Sequence, residues 1–376
     1  ETAEAVRAAN RDLRGPYSDL AAGHLLAALR AAGPTGTVAM ILPQSVLASR
    51  DTEALRTHCD ETTPLQALWA TRTAVFDASV RACAVVLGPR HEPRQSVTLA
   101  AGPAVELVRR SDETDIEPGR WAGHAARALG APTMPATLGT APAGTLADLA
   151  TATAGFRDEY YGLVAACREW DGPEGDEPNR LVTVGSVDPL QLAWGRRSCR
   201  LGGRNWDRPV IDVGALDDKV GTWVEQRLVP KVVLATQSRV LEPVVDRHGR
   251  LIPATPLIAL TAPADQLDRL AAVLLAPPVV AWAWQRWFGA SLSVDALKLA
   301  ARQVLELPLP PDEGAWQEAA ALVASADDAP PEEAAEWADA VARCMNRAYG
   351  ADPEVLAWWR ARSVAPSNGP RPAGPG

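Results

Sequence analysis

Apolar residues recur with two periods along this chain, and the alternation between them marks out its elements. After Leu20 they fall at Ala21, Leu25, Ala28 and Leu29, one face of a helix that Ser18 caps and Gly33 stops. Residues 37–42 (TVAMIL) are then a short unbroken apolar run between Gly36 and Pro43, the pattern of a buried strand. Asp51 opens a second short helix to about Cys59, and residues 65–70 and 82–87 read as two more strands. The link between those two is too short for a crossover helix, so they are expected to pair antiparallel. Residues 1–90 thus predict a mostly parallel sheet that finishes with an antiparallel strand. Three strands make a poor core and a parallel sheet needs cover on both faces, so this piece reads as the second half of a larger sheet.

Beyond residue 90 the period weakens. Residues 91–150, rich in Ala, Pro, Gly and Thr, read as a linker or irregular extension with short strands near 96–100 and 105–109. Residues 151–310 mix strands and helices. Strands are expected at 231–235, 240–245 and 256–260, and DRHG (246–249) predicts a hairpin turn into 250–252. Helices are expected at about 265–275, 278–288 and 293–303, with Gly289 as a stop. Residues 311–362 read as acidic C-terminal helices, and 363–376 as a Pro/Gly-rich disordered tail.

Composition narrows the class. Of 376 residues, 47% are hydrophobic and 22% charged, which is globular and long enough for two or three domains. The most apolar stretch, 270–288, is broken by Pro277 and Pro278 and carries Gln285 and Arg286, so no membrane association is expected. The N-terminus lacks the pattern of a secretory signal, and five scattered cysteines without a CxxC pair read as reduced thiols in a cytoplasmic protein. His58 beside Cys59 supplies only two ligands, so no metal site is expected. A net charge of −9 argues against a nucleic-acid coat protein but leaves room for an enzyme with one basic face.

The order of several short words gives a resemblance. GPYSDL (15–20), TVAMILPQSVL (37–47), ASRD (48–51), ALR (54–56) and VFDA (75–78) resemble the later catalytic-domain segments of adenine-N6 DNA methyltransferases of the gamma arrangement. YGLV (161–164), VDP (187–189), KVVLATQSR (231–239), DRHG (246–249), LKLAAR (297–302) and LPLP (307–310) are similar to recognition-region segments of restriction-modification methyltransferases. The resemblance implies an α/β chain: the rear half of a Rossmann-like class I methyltransferase sheet (1–90), the extension (91–150), an α+β DNA target-recognition region (151–310), and C-terminal helices (311–362). It implies S-adenosylmethionine as methyl donor, double-stranded DNA as partner, and a restriction or defence-system partner. The family's Gly-rich cofactor loop and its Asn-Pro-Pro-aromatic motif are not found in this sequence, and the missing parts are expected upstream. No catalytic residue is therefore assigned, and the chain alone is expected to be inactive. The rival reading is a non-catalytic DNA-specificity protein that positions a partner methyltransferase or nuclease.

The candidate contacts follow from residue chemistry. Pro43, Gln44 and Ser45 end a strand where ligands of parallel sheets sit, near the target base or strand; an ordinary polar loop would read the same way. Tyr17 is a second candidate there, or a packed aromatic. Residues 195–208 hold five arginines within thirteen residues, with glycines and Trp206. Arg196, Arg197, Arg200 and Arg204 suit phosphate or guanine edges, or else pair with the abundant carboxylates of a solvated loop. Lys231, Gln237 and Arg239 are DNA candidates on a strand that reads equally as a structural hairpin. Trp282, Trp284 and Trp287 read as core.

Overall fold

The structure is a computed structural model that describes residues 20–73, 75–77, 81–90, 96–103, 105–111, 116, 119–135, 138, 144–173, 178–291, 296–327 and 329–363. The fold is mixed α/β. Two compact units divide it: residues 1–136 with 281–298, and residues 137–280 with 299–376.

In the first unit, helix α1 (Leu20–Ala32) buries Ala22, Leu25, Leu26 and Leu29, the stripe expected from the period, and ends at Gly33 with φ +69°. Strand β1 (Val38–Pro43), helix α2 (Glu53–Thr62), β2 (Leu65–Ala70) and β3 (Ala82–Leu87) follow. β2 and β3 pair antiparallel, as their short link required. β3 does not finish the sheet, however. It lies between β1 and β2 and runs antiparallel to both, so that β1 and β2 are parallel to each other. From the stretch read as an extension, β4 (Val97–Ala101) joins β2 in parallel and β5 (Glu106–Ser111) pairs antiparallel with β4. The order is β1-β3-β2-β4-β5. Leu42, Leu68, Val85, Leu87 and Leu99 are buried, and helix α3 (Trp121–Ala128) packs on β2 and β4. β1 is an edge strand with no polar side chain, and its Ile41 is 60% exposed. Trp282, Trp284 and Trp287 are buried, with Trp284 stacked on Phe288 at 5.2 Å between ring centroids.

The second unit starts with β6 (Thr151–Ala154), α4 (Arg157–Ala166), β7 (Cys167–Glu169), β8 (Arg180–Val182), β9 (Val187–Asp188) and β10 (Gln191–Leu192). The hairpin β11 (Cys199–Leu201) and β12 (Arg204–Trp206), β13 (Pro209–Ile211) and α5 (Asp218–Glu225) come next. β14 (Lys231–Ala235), β15 (Glu242–Asp246), β16 (Leu251–Pro253) and β17 (Ile258–Thr261) complete the strands. Two four-stranded sheets result, ordered β16-β8-β13-β7 and β15-β14-β17-β6. β8 and β16 pair in parallel and serve two cores. Leu181 and Ile252 join one with Leu163, Trp206 and Val220, while Val182 and Leu251 join the other with Val233 and Leu257.

Helices α6 (Leu267–Leu275), α7 (Pro277–Trp287), α8 (Ala301–Leu305), α9 (Glu313–Ala326), α10 (Ala334–Ala348) and α11 (Pro353–Ser363) follow. On α10, Ala338, Val341 and Met345 are buried, and Ala334, at the same helical spacing, is half-buried. No single helix among the described residues is long and apolar enough to cross a membrane.

Two local expectations are corrected. The turn at 246–249 does not form a hairpin with residues 250–252, because β15 pairs with β14 and β16 pairs with β8. The Asp246 carboxylate accepts from the backbone N–H of Arg250 and Leu251, which turns the chain away from β15. The helix expected at 293–303 is reduced among the described residues to α8, preceded by Ala300 in an extended conformation. The residue-17 candidate and the tail beyond Ser363 lie outside the described residues.

Candidate DNA interface

At the end of β1, Gln44 is 4% exposed, and its amide donates to the carbonyls of Thr71 (3.1 Å) and Ala82 (3.2 Å). It ties together the ends of β2 and β3, which uses the amide N–H groups that a base edge would need. Pro43 is half-buried; Ser45 is exposed, its carbonyl accepting from the N–H groups of Ala48 and Ser49. The turn is held from below by Arg56 of α2, which donates to the carbonyls of Val46 (2.9 Å), Ser49 (2.9 Å) and Gly119 (2.7 Å). Burial lowers the Arg56 pKa to about 10. One turn further on, Asp60 accepts from Trp121 Nε1 (2.8 Å) and the Gly119 N–H (2.6 Å). Their i, i+4 spacing was the available signal for a shared role, and sequence reasoning passed over it.

The arginine-rich segment is built as a turn and a hairpin. Gly195 (φ +76°) admits the turn that carries Arg196 and Arg197, and Gly202 (φ +58°) with Gly203 (φ +77°) closes β11 on β12. Strand alternation buries Cys199, Leu201 and Trp206 and leaves Arg200 exposed, cross-strand from Asn205. Arg204 is exposed, with its guanidinium 4.5 Å from the Trp206 ring centroid. Arg197 is held by the Gly185 carbonyl (2.6 Å) and Asp188 (2.9 Å), and Arg196 by the Leu192 carbonyl. Arg196, Arg197, Arg200 and Arg204 are thus brought to the surface of one short segment.

The third group is divided. Lys231 is fully buried, ion-paired with Asp246 and donating to the Val229 carbonyl at 3.3 Å. Burial pulls its pKa down while Asp246 raises it. An ammonium held in that way reaches no external phosphate, so its position is structural. Gln237 and Arg239 are half-buried in the loop between β14 and β15, where Thr236 donates to the Leu299 carbonyl at 3.3 Å. All five cysteines are free thiols, and burial pushes Cys59, Cys83 and Cys167 up to about 12. No cluster of three metal-binding side chains occurs among the described residues.

No protein-family model matches the chain, and no curated protein matches it in sequence. Solved structures do. The type IIL restriction-modification enzyme MmeI, in complex with DNA, superposes with a TM-score of 0.58 at 11% identity, over 96% of this chain and 54% of that one. The type IIG restriction endonuclease BpuSI matches over 88% of this chain and 47% of that one at 10% identity, but a TM-score of 0.27 is too low to argue from. The chain spans about half the length of each. At such identity the likeness is one of fold.

Proposed function

We propose that this chain is the rear portion of a site-specific adenine-N6 DNA methyltransferase of a restriction-modification or defence system. The first unit then completes a catalytic domain, and the second recognises double-stranded DNA. The observation that carries the reading is the likeness in fold to MmeI along almost the whole chain. Two features of the molecule support it: a parallel strand pair with a reversed strand between them, and an arginine-bearing surface segment on a chain of net charge −9.

Methyl transfer to an adenine amino group requires the base outside the stack, and S-adenosylmethionine supplies the methyl when bound. The described residues do not fit that cofactor. The glycine-rich loop that holds it in the family is not found in this sequence, and the turn after β1 is closed, with the Gln44 amide N–H groups bonded and Arg56 donating to the Val46 carbonyl. The residues of this chain have the task of binding: Arg200 and Arg204, with Arg196 and Arg197, take phosphates or guanine edges.

The test is duplex binding against salt concentration, using pooled duplexes with varied adenine sites. Salt-sensitive binding with a sequence preference is expected. R200Q/R204Q should flatten the slope of log affinity against log salt by about 0.9 for each phosphate that is no longer neutralised. An unchanged slope in that variant would remove these arginines from the interface, and no binding at low salt would remove the DNA reading.

A further inference from the structure

The turn after β15, the loop after β9 and the corner between α9 and α10 enclose a cleft of about 300 Å³ in the second unit. One wall is cationic. Arg180, Arg196, Arg247 and Arg250 line it with His248, against two carboxylates, Asp246 and Asp327. Both carboxylates have cationic partners, Asp246 in Lys231 and Asp327 in Arg247 at 2.7 Å. Arg247 is further fixed by Asp268 at 2.7 Å, so it serves as the strut of this wall. The Arg180 guanidinium is oriented by the Trp194 ring, 5.1 Å from its centroid, and Arg196 by the Leu192 carbonyl. The corner between α9 and α10 contributes Val323, Ala329, Pro331 and Ala334 beside Asp327, and Gln191 ties it to the rest of the lining by donating to the Pro331 carbonyl.

These arginines come from distant parts of the chain. Arg180 starts β8 and Arg250 precedes β16, and the parallel pairing of those strands sets the two side by side, with the Arg180 N–H donating to the Arg250 carbonyl at 2.9 Å. Several guanidinium groups and apolar side chains lining one cleft match the two halves of a nucleotide unit, its anionic oxygens and its sugar.

We propose that this cleft is a phosphate-binding site, with Arg180, Arg196 and Arg250 taking the phosphate oxygens and Val323, Ala329 and Pro331 packing on the attached sugar. The proposal rests on the DNA-binding reading for the source of the phosphate, a backbone phosphodiester, but a free nucleotide would present the same chemistry. Arg196 belongs to both sites, but the hairpin arginines Arg200 and Arg204 do not line the cleft, so substitutions there and at Arg250 separate the two.

The experiment compares the full chain with R250Q, A334E and R200Q/R204Q. A334E places a carboxylate against the cationic wall from the first turn of α10, where an acidic residue favours the helix, so it tests the cleft should R250Q fold poorly. Each protein is titrated with a deoxynucleoside monophosphate by calorimetry and with duplex DNA by anisotropy across a salt series, with a circular-dichroism melt as control. The expected result is a weakening of about tenfold in both affinities for R250Q and A334E, and a salt slope shallower by about 0.9, the value for one phosphate. Loss of nucleotide binding in both cleft variants with DNA binding unchanged keeps the phosphate site and assigns it to free nucleotides. DNA binding weakened by R200Q/R204Q, with both cleft variants indistinguishable from the parent, overturns the cleft and leaves the DNA reading standing. Absence of DNA and nucleotide binding in the parent overturns both.

Discussion

Glu159 offers a test of the structure that needs no ligand. It sits in the first turn of α4 with no exposed surface, and its Oε1 has no hydrogen-bond partner. Oε2 accepts from the Thr255 hydroxyl at 3.1 Å. Burial raises its pKa from 4.5 to about 7, opposed by hydrogen bonds from Thr255 and the Phe156 backbone and by the charge of Arg227. Below 4.5 the carboxyl is protonated in folded and unfolded chains alike and adds no pH-dependent cost. As pH rises the unfolded chain ionises first, so stability falls between 4.5 and about 7 and then levels. At about 1.4 kcal/mol per tenfold, that gap corresponds to roughly 3 kcal/mol at pH 8, of which about 2 to 3 kcal/mol develops above pH 5. The substitution E159Q keeps the acceptor for Thr255 and removes the charge. Urea unfolding of parent and variant at pH 5, 6, 7 and 8 should give curves that diverge as pH rises, the variant gaining roughly 2 to 3 kcal/mol on the parent across the range. Titrations elsewhere are common to both proteins and cancel in the difference. Parallel pH profiles would falsify the buried, charge-costly placement of Glu159.

Two further substitutions probe the ground beside the cleft. K231M leaves the Asp246 carboxylate buried without its cation and is expected to cost roughly 3 to 5 kcal/mol in urea unfolding. The folded fraction should keep the parent's salt slope for DNA; a slope shallower by about 0.9 with stability intact would instead make Lys231 a phosphate ligand. Gly249 has φ +68°, and a Cβ there would lie 2.7 to 2.8 Å from backbone atoms of Val229. G249A should therefore lower the unfolding midpoint by the equivalent of about 2 to 4 kcal/mol, and a neutral result would mean that the turn is not packed against residue 229 as described.

Much of the secondary structure was legible because it is locally encoded. The stripe of α1, the apolar run of β1 and the short link between β2 and β3 each act within a few residues, and each element formed close to where its pattern placed it. The arginine-rich segment was legible for the same reason: strand alternation and three glycines decide locally that Arg200 faces outward while Cys199, Leu201 and Trp206 face in. Strand order was not legible, since β3 entering between β1 and β2, and β16 choosing β8 over β15, depend on which apolar faces meet once the chain is compact. The same limit applies to individual polar residues. Gln44 and Lys231 carry side chains that could serve an external partner, and only burial beside Thr71, Ala82 and Asp246 gives them internal ones. Arg180 and Arg250 do not stand out in the sequence because a cationic wall is a property of position, not of spacing along the chain. The sequence by itself determined the local elements, the charge and the residue types available for binding; which of those residues remain at a surface was decided by tertiary packing, because burial and pairing are set by contacts between segments far apart in the chain.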